Sequence, residues 1–435
     1  MIYILNPFVK LIKLDDKYTV LYNPFSQEIY ILLTKLLKIY KKGVLSSSID
    51  IDVDLIELDF LVDQNTNFLD YFYKKSKIIL SQKDYGIHVM YLLLHSKCNL
   101  NCKYCFVKDY FDNISIKKEH IIKALKLYKN QKSKLKKKII LYGGEPLLDY
   151  NLVKFTLEKI YSIFKKNANI IIVTNGVKLD LKYVNLFKKY NVSVGISIDG
   201  FSSKTNSNRV NHNNKNMYLE IKKGFDLLIS KKIPVSVSYT LTKDNIRDIK
   251  HFVKNLDTKM SFSFNLLHKQ KMVFDDKFID DLFDVINILT KKNILEDRIY
   301  YRRFLAIVFK RFYVKDCAGM GNQLVVLPSG KIGICHGYDW KHKTYFEKNL
   351  NDISLKYDFT KDYIWDTWNK RSTFNILNCW NCIGLTLCGG GCIVNKTKGK
   401  DLNIYQLDLD NCKLYKKIIR KLILKIAKEN LKKKI

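Results

Sequence analysis

Short apolar runs alternate with amphipathic segments between residues 87 and 290, and this alternation dominates the pattern of the chain. Six runs have strand-like composition: Val89–His95, Ile139–Gly143, Asn169–Thr174, Val192–Asp199, Pro234–Leu241 and Met260–Leu267. Apolar residues recur at helical i, i+3 and i+4 spacing in the segments Glu119–Lys129, Leu152–Lys165, Tyr218–Ser230 and Phe278–Thr290. Strands that alternate with helices predict a parallel sheet with helical crossovers.

The number of strand–helix units limits the fold. Six units in about 200 residues are fewer than the eight units of a closed barrel, which needs roughly 250 residues. We therefore expect an α/β fold built on an open, partial (β/α)6 barrel. The chemistry of such folds lies at the carboxyl ends of the strands, so polar residues that follow the predicted strands are the first candidates for a site.

The first 85 residues have a different pattern. Tyr18–Tyr22 and Glu28–Leu32 flank a turn at Asn23 and predict a hairpin, which is followed by a helical segment at Leu33–Lys41 and a second apolar stretch at Val53–Asp63. A chain of 435 residues is long enough for two or three domains. We predict three: a hairpin-plus-helices domain at 1–85, the partial barrel at 86–310 and a third domain at 311–435.

The charge and composition of the chain indicate which classes of binding partner to expect. The chain carries 76 Lys and Arg against 42 Asp and Glu, a net charge of +34. These basic residues are spread along the chain rather than gathered beside stacking aromatics, so we expect no nucleic-acid partner. The N-terminus lacks the order of a signal peptide, and no run reaches the roughly 20 apolar residues of a membrane helix. We therefore expect a cytoplasmic protein that does not bind membranes.

Three of the ten cysteines form a compact C-x3-C-x2-C triplet, Cys98, Cys102 and Cys105, directly after the first predicted strand. Clustered cysteines in a reducing compartment are more often metal ligands than disulfides. Iron–sulfur cubanes are usually held by four cysteines and structural zinc sites by four ligands. Three thiolates leave one iron of a cubane open to a small molecule, whereas a zinc knuckle needs a distant fourth ligand, and both metals remain alternatives here.

Polar motifs follow the next three predicted strands. The turn Gly143–Pro146 combines glycines, which let backbone approach a ligand, with a carboxylate that accepts from an ammonium group. Thr174 ends the third strand, Ser197 lies near the end of the fourth, and Arg209 follows in the next loop. Together with the cysteine triplet, these motifs resemble the radical S-adenosylmethionine (radical SAM) superfamily.

The resemblance implies a SAM-binding site after the triplet. Its members are Phe106, Gly143, Gly144, Glu145, Pro146, Thr174, Asn175, Ser197, Asp199 and Arg209. Relatives carry a His-Asp pair before the arginine, and this chain has Thr205-Asn206 instead. The usual hydrogen bonds of that loop are therefore in doubt.

The other seven cysteines form a second pattern. Their spacing, with Gly330 five residues before Cys335, resembles the SPASM extension of radical SAM enzymes that modify peptides and proteins. The resemblance implies two auxiliary [4Fe-4S] clusters, one held by Cys379, Cys382, Cys388 and Cys412 and the other by Cys317, Cys335 and Cys392. Seven thiolates leave one position open for a substrate atom, water or another side chain. Two zinc sites would also need eight ligands and have only seven thiolates, although His336 could complete one of them.

The resemblance covers residues 87–420 and implies a radical SAM oxidoreductase. It implies three [4Fe-4S] clusters, an electron donor such as flavodoxin or ferredoxin, and SAM that is cleaved reductively to a 5′-deoxyadenosyl radical. That radical abstracts hydrogen from an unactivated carbon, so the cofactors carry the hard chemistry and the protein supplies orientation and electrostatics. The auxiliary clusters provide a sink for the second electron of an oxidised product.

Three hypotheses for the function remain open. Anaerobic sulfatase-maturating enzymes, a SPASM subgroup, make formylglycine and carry an Asp after their second SPASM cysteine, where this chain has His336. A histidine takes protons near neutral pH, and Asp339 is close in sequence, so these two residues are the candidate catalytic bases. A metal-binding scaffold without catalysis is the second hypothesis.

The N-terminal domain favours the third hypothesis. Its hairpin-plus-helices pattern resembles the winged-helix elements of maturases for ribosomally made peptides, which bind a leader peptide as an added strand. This resemblance implies a maturase that acts on a precursor peptide with a leader. The product would be a thioether or carbon–carbon crosslink, or another oxidised residue.

Overall fold

A computed structural model describes residues 1–45, 53–82, 86–242, 245, 247–257, 260–267, 275–294, 306–342, 345–395 and 403–434. The predicted domain boundary at residue 85 lies outside these residues. The described strands form two sheets of three strands and one of eight. The large sheet positions the candidate site, and the small sheets belong to the N-terminal region, residues 1–82.

The described part of the N-terminal region contains six short strands and three α-helices. The strands are β1 (Ile2–Leu5), β2 (Lys10–Lys13), β3 (Tyr18–Asn23), β4 (Glu28–Leu33), β5 (Val44–Leu45) and β6 (Leu61–Asp63). The helices are α1 (Leu37–Lys42), α2 (Val53–Glu57) and α3 (Phe68–Ser81). The predicted hairpin is confirmed, since β3 pairs antiparallel with β4 and Tyr18 lies opposite Leu33. The apolar stretch after residue 52 divides into α2 and β6.

Six parallel strands form the wall of the partial barrel. They are β7 (Val89–His95), β8 (Lys137–Gly143), β9 (Ala168–Thr174), β10 (Val192–Ser197), β11 (Val235–Leu241) and β12 (Ser261–Leu266). Each strand pairs with the next in the order β12-β11-β10-β9-β8-β7, so the six predicted strands are confirmed. The helices that follow them are α4 (Lys118–Asn130), α5 (Tyr150–Phe164), α6 (Leu181–Tyr190), α7 (Tyr218–Ser230), α8 (Ile249–Lys254) and α9 (Asp276–Lys291).

Two further strands extend this sheet beyond β7. β13 (Gln323–Val326) runs parallel to β7, and β14 (Ile332–Gly333) pairs antiparallel with β13. The sequence pattern did not predict either strand, and both come from the segment assigned to the third domain. The C-terminal region, residues 311–434, therefore shares a sheet with the barrel.

The remaining described residues of the C-terminal region form short turns, single 3-10 turns and two α-helices, α10 (Tyr363–Asn369) and α11 (Leu409–Lys434). Trp365 and Trp368 on α10 are each 1% exposed. The indole N–H of Trp365 donates to the carbonyl oxygen of Gln323 at 2.7 Å, which fixes α10 against β13. None of the described helices, including the long α11, is apolar enough over a sufficient length to cross a membrane.

The N-terminal region packs on the C-terminal region through aromatic side chains. The rings of Phe25 and Phe374 stack with centroids 6.2 Å apart, and those of Phe72 and Trp380 lie 4.4 Å apart. Aromatic burial of this kind is a large source of packing energy. The hairpin is therefore held beside the turns that carry the C-terminal cysteines.

Candidate functional site

A cavity of about 1610 Å³ lies inside the barrel. The predicted site residues that line it are Cys98, Cys102, Cys105, Phe106, Gly143, Gly144, Glu145, Thr174, Asn175, Ser197, Arg209 and His336. Because these residues follow neighbouring parallel strands, the carboxyl ends of the strands bring them to one rim. Of the described residues predicted for the site, Pro146, Asp199, Asp339 and the other seven cysteines do not line the cavity.

The cysteine triplet occupies the loop after β7. The backbone N–H of Leu100 donates to Sγ of Cys98 at 3.4 Å, and Nδ2 of Asn175 lies 3.7 Å from the same sulfur. A backbone hydrogen bond of 2.8 Å from Asn101 to Val210 ties the loop to the segment after β10. The three thiols are half-buried and face the cavity.

The glycine turn after β8 lies directly against this loop. A Cβ on Gly144 would lie 2.1 Å from the carbonyl oxygen of Lys97, and one on Gly143, where φ is +138°, would lie 2.3 Å from that of His95. Both neighbours are backbone atoms, so only glycine permits the approach. The sequence predicted that these glycines let backbone approach a ligand closely. In the structure they let the backbone of the cysteine loop, at His95 and Lys97, approach closely.

Glu145 is buried at the rim, with 1% of its surface exposed. Its carboxylate accepts from the Thr174 hydroxyl at 2.7 Å, from the Asn175 N–H at 2.8 Å and from the Leu147 N–H at 2.9 Å. Burial raises the pKa of Glu145 to about 7, although the hydrogen bonds act in the opposite direction. A cation bound here would favour the ionised carboxylate.

Asp199 and Arg209 form a buried bidentate ion pair. Nε and an NH2 group of Arg209 donate to the two carboxylate oxygens of Asp199 at 2.9 and 2.8 Å, and the Tyr104 hydroxyl also donates to this carboxylate. Arg209 and Tyr104 line the cavity, so Asp199 acts on the site through them. Sequence reasoning missed Tyr104, whose position between Cys102 and Cys105 was its signal.

Asn206 supplies hydrogen bonds within the loop where this chain has Thr205-Asn206 in place of the His-Asp pair of relatives. Its Oδ1 accepts from the backbone N–H of Asp199 at 2.8 Å, and its Nδ2 donates to the carbonyl oxygen of Gly200 at 2.9 Å. The asparagine amide therefore provides hydrogen bonds to both sides of the turn and supports the ion pair.

The two candidate bases lie in different places. The ring of His336 stacks on Tyr91, with centroids 4.0 Å apart, and meets Tyr142 edge-on at 5.1 Å. All three side chains line the cavity, whereas Asp339 does not and accepts instead from the Lys341 N–H at 2.9 Å. The structure therefore brings His336, but not Asp339, to the site. Sequence reasoning missed both tyrosines, which face the lumen from adjacent strands.

The seven C-terminal cysteines lie outside the cavity. One group contains Cys379, Cys382, Cys388 and Cys412. Burial raises the pKa of Cys379 to about 12, and the charges of the other three thiols add to the increase. Burial, followed by the charge of Cys317, likewise raises the pKa of Cys335 to about 12. The four thiols of the first group, and the pair in the second, are therefore neighbours in space.

The thiols at the barrel rim fit an iron–sulfur cluster with one open position. The triplet offers three half-buried thiols that line one cavity, with N–H groups directed at Cys98. Hydrogen bonds to sulfur are a feature of iron–sulfur sites. The nearby Glu145 carboxylate fits an amino group beside the open position.

Comparison with known proteins agrees with this site. Residues 92–256 match the model of the Radical SAM superfamily. The radical SAM cyclopropyl synthase TigE of Paramaledivibacter caminithermalis is 26% identical over 471 aligned positions, which cover 97% of this chain and 95% of that protein. A cysteine-type anaerobic sulfatase-maturating enzyme of Clostridium novyi is 24% identical, with 76% of this chain and 94% of that protein covered.

The likeness extends to a solved structure. Streptococcus suis SuiB bound to precursor peptide SuiA superposes with a TM-score of 0.54 at 16% identity, over 93% of this chain and all of that one. It shows a shared fold across all three regions. The segment that matches the superfamily contains the cysteine triplet, the glycine turn and Arg209, and such a domain implies SAM and a [4Fe-4S] cluster. The chain therefore contains a radical SAM domain and is homologous to named radical SAM enzymes.

Proposed function

We propose that the chain is a peptide maturase whose substrate is a ribosomally made precursor peptide. The observation that carries this proposal is the extent of the likeness. TigE aligns over 97% of the chain, and the fold shared with SuiB, which was solved with its precursor peptide, spans 93%. Both likenesses therefore extend into the N-terminal region as well as the barrel.

At the barrel rim, Cys98, Cys102 and Cys105 hold the SAM-binding [4Fe-4S] cluster. Glu145 accepts from the ammonium group of SAM, and the polar residues of the third and fourth strand ends bind the rest of that molecule. When bound, the cluster and SAM supply a 5′-deoxyadenosyl radical that removes a hydrogen atom from the peptide. His336 is the residue of the cavity that takes up a proton as the product forms.

The two C-terminal cysteine groups each hold one auxiliary [4Fe-4S] cluster. These clusters accept the second electron of the oxidation. A donor such as flavodoxin or ferredoxin supplies the reducing electron. The leader peptide adds to an edge of the sheet β2-β3-β4, because neither β2 nor β4 has a second strand neighbour among the described residues. This arrangement is a winged-helix-like recognition element, and the three predicted domains divide these tasks.

The test is the mass of the peptide encoded beside the gene after anaerobic incubation with reconstituted enzyme, SAM and a reductant. A crosslink removes two hydrogen atoms, so the mass falls by that amount and 5′-deoxyadenosine accumulates. Formation of formylglycine in a sulfatase peptide is the second candidate, favoured by the 94% coverage of the Clostridium novyi enzyme. Conversion of a sulfatase peptide, with the neighbouring precursor unchanged in mass, would contradict the maturase and support this alternative.

A further inference from the structure

Arg371 is a buried cation of the C-terminal region that the proposed function does not use. Its side chain is 0% exposed. The guanidinium donates to the carbonyl oxygens of Gly390 at 2.8 Å, Gly391 at 3.2 Å and Gln406 at 3.2 Å, and also to that of Ile404. These partners are neutral groups. A buried charge costs several kcal/mol when it is not compensated by an opposite charge, so Arg371 needs an anion nearby.

The carbonyls around Arg371 belong to the segments that carry the C-terminal cysteines. Gly390 and Gly391 lie between Cys388 and Cys392, which the proposed function assigns to different clusters. The glycines have φ of +79° and +71°, a conformation that glycine adopts readily. The loop therefore turns two successive carbonyls toward one guanidinium. Through these bonds Arg371 fixes the spacing between the two cysteine groups.

The same loop lies against the segment of Cys317. A Cβ on Gly389 would lie 2.4 Å from the backbone nitrogen of Asp316. The other two carbonyls bound by Arg371 are those of Ile404 and Gln406. They lie just before α11, the helix whose first turn carries Cys412. Arg371 thus connects the segment of Cys388 and Cys392 with that of Cys412, and Gly389 brings the segment of Cys317 against the same loop.

The acidic groups that surround Arg371 are mainly thiols. Burial lowers the pKa of Arg371, and the charges of Asp316, Cys392, Cys379 and Cys317 oppose this effect. Three of these four groups are thiols, which become permanent anions when they ligate a metal. Cys317 and Cys392 belong to one proposed cluster and Cys379 to the other. Loading of both clusters therefore adds negative charge near Arg371 to that of Asp316.

We propose that Arg371 positions the cysteines of both auxiliary clusters and supplies the buried positive charge that raises their reduction potentials. This inference rests on the proposed assignment of the seven cysteines to two clusters. Reduction adds one negative charge to a cluster, and a nearby cation stabilises that charge. Net charge around a cluster is one of the factors that set its potential. Removal of the guanidinium charge therefore shifts both auxiliary potentials downward.

The test uses the full chain with Cys98→Ala, Cys102→Ala and Cys105→Ala, so that only auxiliary clusters are present. Arg371→Gln removes the charge and keeps hydrogen-bond donors, whereas Arg371→Lys keeps the charge. Arg420→Gln, on the exposed face of α11, is the matched control. Each protein is reconstituted anaerobically, its iron is counted, and the potentials are measured by redox titration with electron paramagnetic resonance.

We expect about eight irons, or two four-iron clusters, in the parent and the control. Both potentials fall in Arg371→Gln and stay near those of the parent in Arg371→Lys. Unchanged potentials in a fully loaded Arg371→Gln protein would overturn the inference. If Arg371→Gln does not load, loading of Arg371→Lys supports the inference and failure of both overturns the charge role. A parent without iron would instead contradict the proposed function and remove the clusters themselves.

Discussion

The barrel and the C-terminal region bring their cysteines together in different ways. At the barrel rim, the triplet, Glu145 and Thr174 follow neighbouring strands, and the parallel sheet brings them to one edge. In the C-terminal region, the cysteines lie mainly on short turns held by backbone contacts and by the carbonyls around Arg371. Regular secondary structure positions the first site, whereas the second depends on individual buried contacts.

The largest effect is expected at the ion pair beneath the rim. Asp199→Asn leaves the buried Arg209 guanidinium without its anion, so the free energy of unfolding falls by about 3–5 kcal/mol. Asp226→Asn is the matched control, because Asp226 is half exposed and pairs with Lys222 on the outside of α7. The control loses only about 0–1 kcal/mol. Urea unfolding of both reconstituted variants measures the difference, and equal losses would contradict the role of the pair.

The next effect concerns SAM binding by Glu145. Glu145→Gln removes the negative charge, so the ammonium group of SAM would lose its charge-assisted hydrogen bond, at a cost of about 1–3 kcal/mol. SAM binding therefore weakens by roughly 5-fold to 150-fold at about 1.4 kcal/mol per factor of ten. Titration calorimetry measures it, with Glu119→Gln on the exposed side of α4 as control. Equal affinities would contradict the contact.

The pH dependence of this contact has a defined sign. Burial raises the pKa of Glu145 to about 7, so below that pH the free carboxyl group is protonated and loses its attraction for an ammonium group. Wild-type affinity for SAM therefore falls as the pH drops through about 7. The same decline is absent from Glu145→Gln, and its persistence there would assign it to another group.

Two substitutions in the glycine loop between Cys388 and Cys392 separate the effect of backbone strain from that of a steric contact. A Cβ on Gly391 would meet nothing within 4 Å, although φ is +71°, so Gly391→Ala costs only the left-handed strain of about 1–2 kcal/mol. A Cβ on Gly389 would strike Asp316 backbone. Iron analysis of both variants should show auxiliary iron retained in Gly391→Ala and reduced in Gly389→Ala. The reverse order would contradict the importance of that contact.

The smallest expected effect is at the hydrogen bond that fixes α10 against β13. Trp365→Phe keeps most of the buried ring and removes the N–H that donates to Gln323 at 2.7 Å. We expect a loss of about 0.5–1.5 kcal/mol in the free energy of unfolding, with auxiliary iron unchanged. Thermal unfolding and iron analysis test this, and loss of the clusters would show that α10 does more than anchor β13.

The barrel was predictable from the sequence because its elements are regular. The short apolar runs marked all six strands, and the motifs that follow them located Glu145, Thr174 and Arg209. Helices α6 and α8 were not predicted. Both carry buried residues at helical spacing, but each is short, with 10 and 6 residues.

For the C-terminal region the sequence offered only the resemblance to the SPASM pattern, which stays a prediction. β13 has four residues and gains its partner, β7, from more than 200 positions away, a pairing that no local pattern encodes. Arg371 gave no signal, because in sequence a buried arginine looks like an exposed one. Its role follows from burial and from carbonyls supplied by segments distant along the chain.

The measurement that tests the account most directly is iron and sulfide analysis combined with an assay of SAM cleavage. It compares the anaerobically reconstituted wild type with the variant Cys98→Ala, Cys102→Ala, Cys105→Ala. The account predicts that about twelve irons fall to about eight and that 5′-deoxyadenosine formation is lost, because one four-iron cluster is removed and two remain. Zinc in place of iron, or a wild type that does not cleave SAM, would contradict it.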